Sequence, residues 1–129
     1  MGHKRTVTHL KLSNDESSLF SASSDETIKI WNTRSGKNLK TLKGHNGSVY
    51  VLEQTKDSNY LFSGGYDNTV IQWRLDKGVV HRKLEGFHSY LTSMVFSGDH
   101  KVLYSISGED SNFIRYLGEG ELYKNKEIN

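Results

Sequence analysis

The chain of 129 residues contains neither cysteine nor proline. Without cysteine it can form no disulfide framework and no thiolate metal site. It also lacks any apolar run near the ~20 residues that a membrane-spanning helix needs. No apolar segment follows the first five residues, as one would in a signal peptide. We therefore expect a protein of the cytoplasm or nucleus, with no membrane partner.

Strong charge of either sign is absent as well. The formal net charge is +2, and acidic and basic residues are interspersed along the chain rather than gathered on a basic run. Since binding to phosphates usually shows as such a run or face, the composition argues against a nucleic-acid partner. A content of 25% charged and 11% aromatic residues is that of a folded protein.

What the chain does contain is a repeat with a period of 42 residues. Five residue types return in the same order and at the same spacing. The first copy contains Gly2, His3, Ser21, Asp25 and Trp31, and the second contains Gly44, His45, Ser63, Asp67 and Trp73. A third, less regular copy contains Gly86, Ser105, Asp110 and Tyr116. A period of about 40–45 residues is typical of β-propeller blades.

Each copy contains four short segments that are rich in β-forming residues and separated by polar or glycine turns. They are residues 7–12, 18–23, 27–31 and 38–42 in the first copy, 49–54, 60–64, 69–73 and 79–84 in the second, and 91–96, 101–106, 113–116 and 122–128 in the third. Helical periodicity is absent from the sequence. The pattern predicts an all-β fold.

Residues 19–31 and 61–73 resemble the hairpin of the second and third strands in the WD-repeat family. Together with the Gly-His pair ahead of each hairpin, the resemblance covers essentially the whole chain. It implies three four-stranded antiparallel β-propeller blades, at residues 2–43, 44–85 and 86–129. The family often has aspartate directly after the tryptophan, whereas this chain has Asn32, Arg74 and Leu117. That position varies within the family, so the expected fold stands.

Histidine, serine and aspartate recur together, and the same residue types form the catalytic triad of hydrolases. The resemblance implies a structural network instead, in which tryptophan, serine, histidine and aspartate are hydrogen-bonded in that order. Catalysis does not explain why the set is copied from blade to blade with a tryptophan attached. The chain also lacks a glycine-flanked serine elbow and a phosphate-binding glycine loop. We expect no enzyme activity. The predicted network consists of His3, Ser21, Asp25, Trp31, His45, Ser63, Asp67, Trp73, His88, Ser105, Asp110 and Tyr116.

The third copy differs from the others by an inserted residue. Counted from Gly86, Phe87 stands where the first two copies have histidine, whereas counted back from Asp110 it is His88. One extra residue between Ser105 and Asp110 makes these two alignments incompatible in a single register. We expect a third blade of ordinary shape with an incomplete network and a lower local stability.

The remaining histidines, His9, His81 and His100, fall outside the repeated positions. A zinc site needs four converging ligands, and the sequence offers no spacing pattern for one. We expect these histidines to be exposed strand or loop residues. No metal and no cofactor are predicted.

The resemblance also implies a partner-binding surface on the top face of the propeller, at the entrance to the innermost strands and just before the network aspartate. Loops on a rigid frame commonly carry recognition. Exposed tyrosines often anchor interfaces, so Tyr66 and Tyr90 are the favoured anchors, although both can instead pack on neighbouring loops. The candidate residues are Lys4, Thr6, Ser24, Asn46, Ser48, Tyr66, His88, Tyr90 and Glu109.

Three blades do not make a ring, since propellers typically close with about 4–8 blades. The end blades would each expose an apolar face that soluble monomers rarely tolerate. The chain is therefore expected to form a homo-oligomer or to be a fragment of a longer propeller. A dimer with six blades is favoured over a trimer with nine.

The expected function is a scaffold that binds proteins or peptides. The alternative is a nucleic-acid-binding or enzymatic propeller that uses the central channel of an oligomer. A bound metal, or a line of lysines and arginines at the channel mouth, would favour this alternative.

Overall fold

The computed structural model describes residues 2–85, 87 and 89–106, and the backbone of residues 107, 110–116 and 122–128. All regular elements in this part of the chain are strands. They are β1 (Val7–Leu12), β2 (Ser18–Ser23), β3 (Thr27–Asn32), β4 (Asn38–Lys43), β5 (Val49–Gln54), β6 (Tyr60–Gly65), β7 (Val70–Arg74), β8 (Val79–Leu84), β9 (Leu91–Phe96), β10 (Val102–Ser107), β11 (Asp110–Tyr116) and β12 (Leu122–Ile128).

The strands form three sheets of four, each joined in simple sequence order. The first sheet contains β1 to β4, the second β5 to β8 and the third β9 to β12. Every neighbouring pair within a sheet is antiparallel. The predicted all-β fold of three four-stranded blades is thereby confirmed.

One predicted strand differs clearly in length from the observed strand. The sequence predicted that the third strand of the last copy begins at residue 113, with Asp110 in the preceding turn. In the structure β11 begins at Asp110, which pairs with Ser107. The backbone pairing continues to the end of β10, so the hairpin is longer than in the first two sheets, where the corresponding aspartates lie outside the strands.

The 42-residue period is visible in the backbone as well as in the sequence. Glu16, Ser58 and His100 follow one another at this spacing and have positive φ angles of 62°, 66° and 59°. Gly36 and Gly78, at φ 75° and 68°, repeat a second turn in the same way. A positive φ is unfavourable for residues other than glycine, so the repeated turn geometry overrides the local preference at the first three positions.

The first hydrophobic core lies between the first and second sheets. The first sheet contributes Phe20, Ala22, Ile28, Ile30 and Leu42, and the second contributes Val49, Leu52, Leu61, Ile71 and Trp73. Every one of these side chains is at most 6% exposed. A face of one sheet thus packs on a face of the next, as in stacked blades.

A second core joins the second sheet to the third. It consists of Val51, Phe62, Val70, Phe87, Leu91, Met94 and Leu103. The rings of Phe62 and Phe96 meet edge to face across this junction, at 6.0 Å between centroids. The middle sheet is therefore covered on both faces.

Hydrogen bonds also join the first and second sheets, at the contact that we call the first junction. The Asn14 side chain donates to the Thr55 carbonyl at 2.8 Å and to the Ser58 hydroxyl at 3.0 Å, and its backbone N–H donates to Gln54 Oε1 at 2.8 Å. Thr8 Oγ1 donates to the carbonyl of Val49 on the neighbouring innermost strand. These contacts fix the relative position of β1 and β5.

Candidate functional site

The first sheet holds a hydrogen-bonded chain of four side chains. Trp31 Nε1 donates to Ser21 Oγ at 2.8 Å, and Ser21 Oγ lies 2.6 Å from His3 Nε2. On the other side of the imidazole, Nδ1 lies 2.9 Å from Asp25 Oδ2. The structure brings these residues together in the order that the sequence predicted.

The second sheet repeats the chain with nearly the same distances. Trp73 Nε1 donates to Ser63 Oγ at 2.7 Å, and Ser63 Oγ lies 2.6 Å from His45 Nε2. His45 Nδ1 lies 2.8 Å from Asp67 Oδ2. Each aspartate carboxylate also accepts a hydrogen bond from a backbone amide. The N–H of Lys4 donates to Asp25, and the N–H of Asn46 donates to Asp67.

The direction of these hydrogen bonds follows from which atoms can donate. An ionised carboxylate only accepts, so histidine Nδ1 carries the proton that faces it. The serine oxygen already accepts from the indole, and its own proton is directed at histidine Nε2. Ser21 is 3% exposed and Ser63 is fully buried. A buried hydroxyl capped by an indole is not the exposed nucleophile that a catalytic triad requires.

Both network aspartates have a lowered pKa. For Asp67, burial favours a higher pKa, but the hydrogen bonds from His45 and from the amide of Asn46 outweigh it and lower the pKa to about 2. For Asp25, burial again favours a higher pKa, and the hydrogen bonds from Thr27, Lys4 and His3 hold the pKa well below its usual range. The carboxylates are therefore ionised at neutral pH and stabilise the network in that form.

The third sheet contains a different arrangement at the corresponding place. Phe87 is 6% exposed and belongs to the second core, and Ser105 is 2% exposed. The Ser105 hydroxyl has no hydrogen-bond partner among the residues whose side chains the structure describes. His88 lies outside the described residues, and only the backbone is described for Asp110 and Tyr116. The incomplete network and the lower stability of this blade stay predictions.

The strand register also changes which residue corresponds to the tryptophans. Trp31 pairs with Leu19, and Trp73 pairs with Leu61. Leu103 is the residue that follows these leucines in the repeat, and it pairs with Ile114. Tyr116, which the sequence placed at the tryptophan position, lies two residues further along β11. Leu103 and Ile114 are 11 positions apart in the chain, whereas the two leucine–tryptophan pairs are 12 apart, so the pairing of the third hairpin is shifted and does not follow the insertion that the sequence predicted.

Two of the predicted partner-binding residues meet in a cluster with a third that was not predicted. The rings of Tyr66 and Tyr90 are 5.0 Å apart between centroids at 80°, and those of Tyr50 and Tyr66 are 4.8 Å apart at 73°. Tyr66 remains 53% exposed and Tyr90 42% exposed. We call these three residues the tyrosine cluster. It lies where the second and third sheets meet, at the entrance to β5 and β9.

A cleft of about 550 Å³ opens beside the tyrosine cluster. Its other lining residues are Thr8, His9, Val51, Leu52, Thr92, Ser93 and Met94. Burial lowers the pKa of His9, and the nearby Glu53 opposes this shift only in part. The side-chain hydrogen bond with Tyr66 raises the pKa of Tyr50, so this phenol stays protonated at neutral pH. The lining is thus uncharged, aromatic and rich in hydroxyl groups.

The other candidate residues of the first two blades have structural roles through their backbones. The carbonyl of Thr6 accepts from the N–H of Ser24, and the carbonyl of Ser48 accepts from that of Tyr66. The side chains of Lys4 and Asn46 are exposed. None of these five residues lines the cleft. His88 and Glu109 lie outside the described residues.

The histidines beyond the network lie apart from one another. His9 lines the cleft, the His81 ring packs against Tyr60 at 5.1 Å, and the His100 ring stacks on Phe96 at 5.3 Å. Within the described part of the chain, no three histidine, aspartate or glutamate side chains converge as metal ligands. There is also no helix among these residues that is long and apolar enough to cross a membrane.

The stacked four-stranded sheets and the repeated Trp-Ser-His-Asp network define blades of a WD-type propeller. The model of the WD40 family, described as WD domain, G-beta repeat, matches residues 1–32 and 36–74. The chain belongs to this family. Its repeats generally mediate protein–protein interactions.

Two solved structures, titled "Structure of U3-55K" and "Crystal structure of RRP9 WD40 repeats", each superpose on 99% of this chain with a TM-score of 0.89 and 23% identity. In both cases the chain spans only 40% of the structure it matches. Among curated proteins, the eukaryotic translation initiation factor 3 subunit I of Debaryomyces hansenii is 39% identical over 44 residues. That match covers 34% of this chain and 13% of the relative. The chain thus corresponds to part of each of these proteins.

Proposed function

We propose that this chain is a non-enzymatic scaffold that binds a peptide segment of a partner protein over the tyrosine cluster. The observation that carries the proposal is the edge-to-face packing of Tyr50, Tyr66 and Tyr90 beside an open cleft, with about half of Tyr66 and of Tyr90 exposed. Tyrosine offers a rigid apolar ring with a hydroxyl that can donate and accept, and it is enriched among residues that dominate binding energy.

The uncharged lining supports a peptide rather than a nucleic acid as the ligand. Phosphate binding depends on lysine and arginine, and none of the residues that line this cleft is either one. Ser, Thr and Tyr hydroxyls instead match the N–H and C=O groups of an extended backbone. The enzymatic alternative finds no support in the buried serines of the network.

The test uses peptides selected from a displayed random library on the wild-type chain. Binding of the selected peptides is measured by fluorescence polarisation with the wild type and with the double substitution Tyr66→Ala and Tyr90→Ala. We expect the double substitution to weaken binding about 30-fold or more, the loss that corresponds to an interface anchor of about 2 kcal/mol.

Leu39→Ala is the matched control, since Leu39 is 52% exposed but lies on β4, outside the cleft. Tyr66→Phe separates the ring from the hydroxyl. Far-ultraviolet circular dichroism verifies that each variant is folded. Selected peptides that bind the folded double variant as tightly as the wild type would exclude the tyrosine cluster as the binding surface.

We further propose that this surface works in the cytoplasm or nucleus, within a ring that contains more blades than this chain provides. The matched relative is named as a translation initiation factor subunit, which supports the location. The partial coverage of longer propeller proteins supports the larger ring. Fluorescent tagging of the protein in cells tests the location.

A further inference from the structure

A pocket of about 260 Å³ lies at the first junction, at the opposite end of β5 from the tyrosine cluster. Its buried part is apolar, since Phe20 and Ile30 line it and are only 2% and 6% exposed. Its open part is polar, with the exposed side chains of Asp15, Ser17 and Ser58. Both sheets that form this pocket are contained in the chain.

The corresponding place between the second and third sheets, which we call the second junction, is filled by aromatic rings of the chain itself. Tyr60 packs against the second core, and its ring centroid lies 5.1 Å from that of His81. The residues 42 positions earlier are Ser18 and Leu39, and both line the pocket. The first junction therefore has a small and an aliphatic side chain where the second has two rings.

The same contrast continues at two further positions. At the second junction, the ring of Phe96 lies 6.0 Å from that of Phe62 and 5.3 Å from that of His100. The repeat places Gln54 and Ser58 at the positions of Phe96 and His100 in the first junction, where both line the pocket. The pocket thus occupies the part of the first junction that corresponds to the rings of the second.

The carboxylate of Asp15 gives the open part of the pocket a strong hydrogen-bond acceptor. Its Oδ1 accepts from the N–H of Ser17 at 2.9 Å, from Ser17 Oγ at 2.7 Å and from Ser13 Oγ at 2.8 Å. These hydrogen bonds, those from Ser17 foremost, lower the pKa of Asp15 to about 2, so the group is ionised at neutral pH. All three end on Oδ1, and Oδ2 keeps its capacity to accept from a ligand.

We propose that this pocket binds a tyrosine side chain of a partner protein, with its ring against Phe20 and its hydroxyl donating to Asp15. The ring would take the place that Tyr60 has at the second junction. A volume below the ~300 Å³ at which pockets for small molecules usually begin suits a single side chain. A buried tyrosine needs a partner for its hydroxyl, and the ionised carboxylate is one that accepts strongly.

The charge of the lining favours tyrosine over phosphotyrosine. Lys40 is the cation of the pocket, but its Nζ donates to the carbonyls of Leu75 and Asp76 at 2.8 and 2.9 Å. A phosphate group would instead meet the negative charge of Asp15, and like charges repel. This second surface goes beyond the peptide binding proposed at the tyrosine cluster and does not depend on it.

The test titrates the ¹⁵N-labelled full chain with N-acetyl-tyrosinamide, a capped tyrosine. We expect saturable chemical-shift changes at the amides of residues 13–18 and 54–58, with a dissociation constant on the order of 1 mM. Capped phenylalanine lacks the hydroxyl and is expected to bind about 5-fold more weakly, the effect of one hydrogen bond. Capped phosphotyrosine is expected not to bind at these amides.

Ser18→Tyr places in the pocket the ring that the second sheet has at this position, and we expect it to abolish binding of the capped tyrosine. Ser35→Tyr is the matched control, since Ser35 is an exposed serine outside the lining. Asp15→Asn keeps the test decisive where Ser18→Tyr fails to fold. It retains the shape of the side chain and removes its charge, so it should weaken the capped tyrosine about 5-fold and affect capped phenylalanine little.

Leu39→Ala separates this pocket from the tyrosine cluster, because Leu39 lines the pocket and lies outside the cleft. It is expected to weaken the capped tyrosine here, whereas the double substitution Tyr66→Ala and Tyr90→Ala is expected to leave this binding intact.

Three results would overturn the inference. They are the absence of saturable shifts at the pocket, a folded Ser18→Tyr variant that binds the capped tyrosine as tightly as the wild type, and a preference for phosphotyrosine. Shifts confined to the amides around Tyr50, Tyr66 and Tyr90 would also overturn it, but they would leave the binding surface at the tyrosine cluster standing. Loss of peptide binding at the cluster, with the capped tyrosine still bound in the pocket, would contradict only the proposed function.

Discussion

The first and second blades contain the same network but differ in how far it is shielded from water. The serine–histidine distance is 2.6 Å in both, and the indole–serine distance is 2.8 Å in one and 2.7 Å in the other. Trp73 is nevertheless 1% exposed, whereas Trp31 is only half-buried. The hydrogen-bond distances are therefore nearly the same in the two blades, whereas the burial of the tryptophan differs.

The difference distinguishes contacts within one sheet from contacts between neighbouring sheets. Each network forms within one sheet, so the spacing of residues in a single repeat is enough to set its geometry. Burial of the same tryptophan depends on the preceding sheet, which the second blade has and the first lacks within this chain. Shielding from water strengthens hydrogen bonds and makes a missing partner more costly. The second blade should therefore be the more sensitive to substitution.

The largest expected effect is at the tryptophans. We expect Trp73→Ala to lower the free energy of unfolding by about 3–5 kcal/mol, because it empties a closed core and leaves the Ser63 hydroxyl without its indole donor. Trp31→Ala is expected to cost about 1–2 kcal/mol in the single chain, because part of its ring is already in contact with water. Urea unfolding of the two variants and the wild type measures both costs.

The same pair of substitutions tests the cause of the difference in burial. Equal costs for the two tryptophans would contradict the claim that the neighbouring sheet determines their burial. Trp31→Phe and Trp73→Phe serve as controls that retain an aromatic ring, although a smaller one, and remove the indole N–H.

The next effect concerns the network aspartates and depends on pH. Because the pKa of Asp67 is lower in the folded chain than its ordinary value of 3.8, its stabilising effect is complete above about pH 4 and disappears as the pH falls towards 2. We expect Asp67→Asn to cost about 1–3 kcal/mol at neutral pH and to make stability less dependent on pH in this interval. Urea unfolding at a series of pH values measures both changes.

Asp25→Asn provides the matched comparison in the first blade. Its pKa is also held well below its usual range, so the stabilising effect of Asp25 is likewise lost only in acid. Both variants should therefore make stability less dependent on pH in the acidic range. Profiles that remain parallel to the wild type for both variants would show that the carboxylates do not stabilise the network as anions.

The fold and the network were predictable because both depend on short-range spacing. Four β-forming runs per repeat and polar turns between them were enough to predict the sheets. The His-Ser-Asp-Trp positions of the first two copies share one spacing, so the geometry found in one blade had to recur in the next. The blade boundaries at residues 2–43, 44–85 and 86–129 and the partner-binding residues stay predictions.

Features that depend on contacts between repeats could not be predicted in this way. Tyr50 occupies a repeat position at which the other two copies have threonine, Thr8 and Thr92, so the repeat pattern does not single it out. Its role becomes visible only in the folded chain, where it contacts Tyr66. The pairing of Ile114 with Leu103 is a second case. The repeated residue types predicted one residue more in this hairpin, whereas its paired residues are one position closer in the chain than those of the first two hairpins, which only the hydrogen-bonded strands reveal.

The smallest expected effect is at the ion pair between the first two blades. Lys11 Nζ lies 3.0 Å from Glu53 Oε2, with side-chain exposures of 32% and 17%. The position that follows these two in the repeat is Val95, so the charge pair belongs to the first junction alone. A cycle of Lys11→Met, Glu53→Gln and the double variant should give a coupling of about 0.2–1 kcal/mol, as for other partly exposed pairs.

Salt separates this electrostatic coupling from the apolar packing around it. Raising the ionic strength to about 1 M shortens the screening length to roughly 3 Å, so the coupling should fall while the cost of Trp73→Ala stays nearly constant. A coupling well above 1 kcal/mol that resists salt would mean that the ion pair, and not the apolar faces, determines how the first two blades stack.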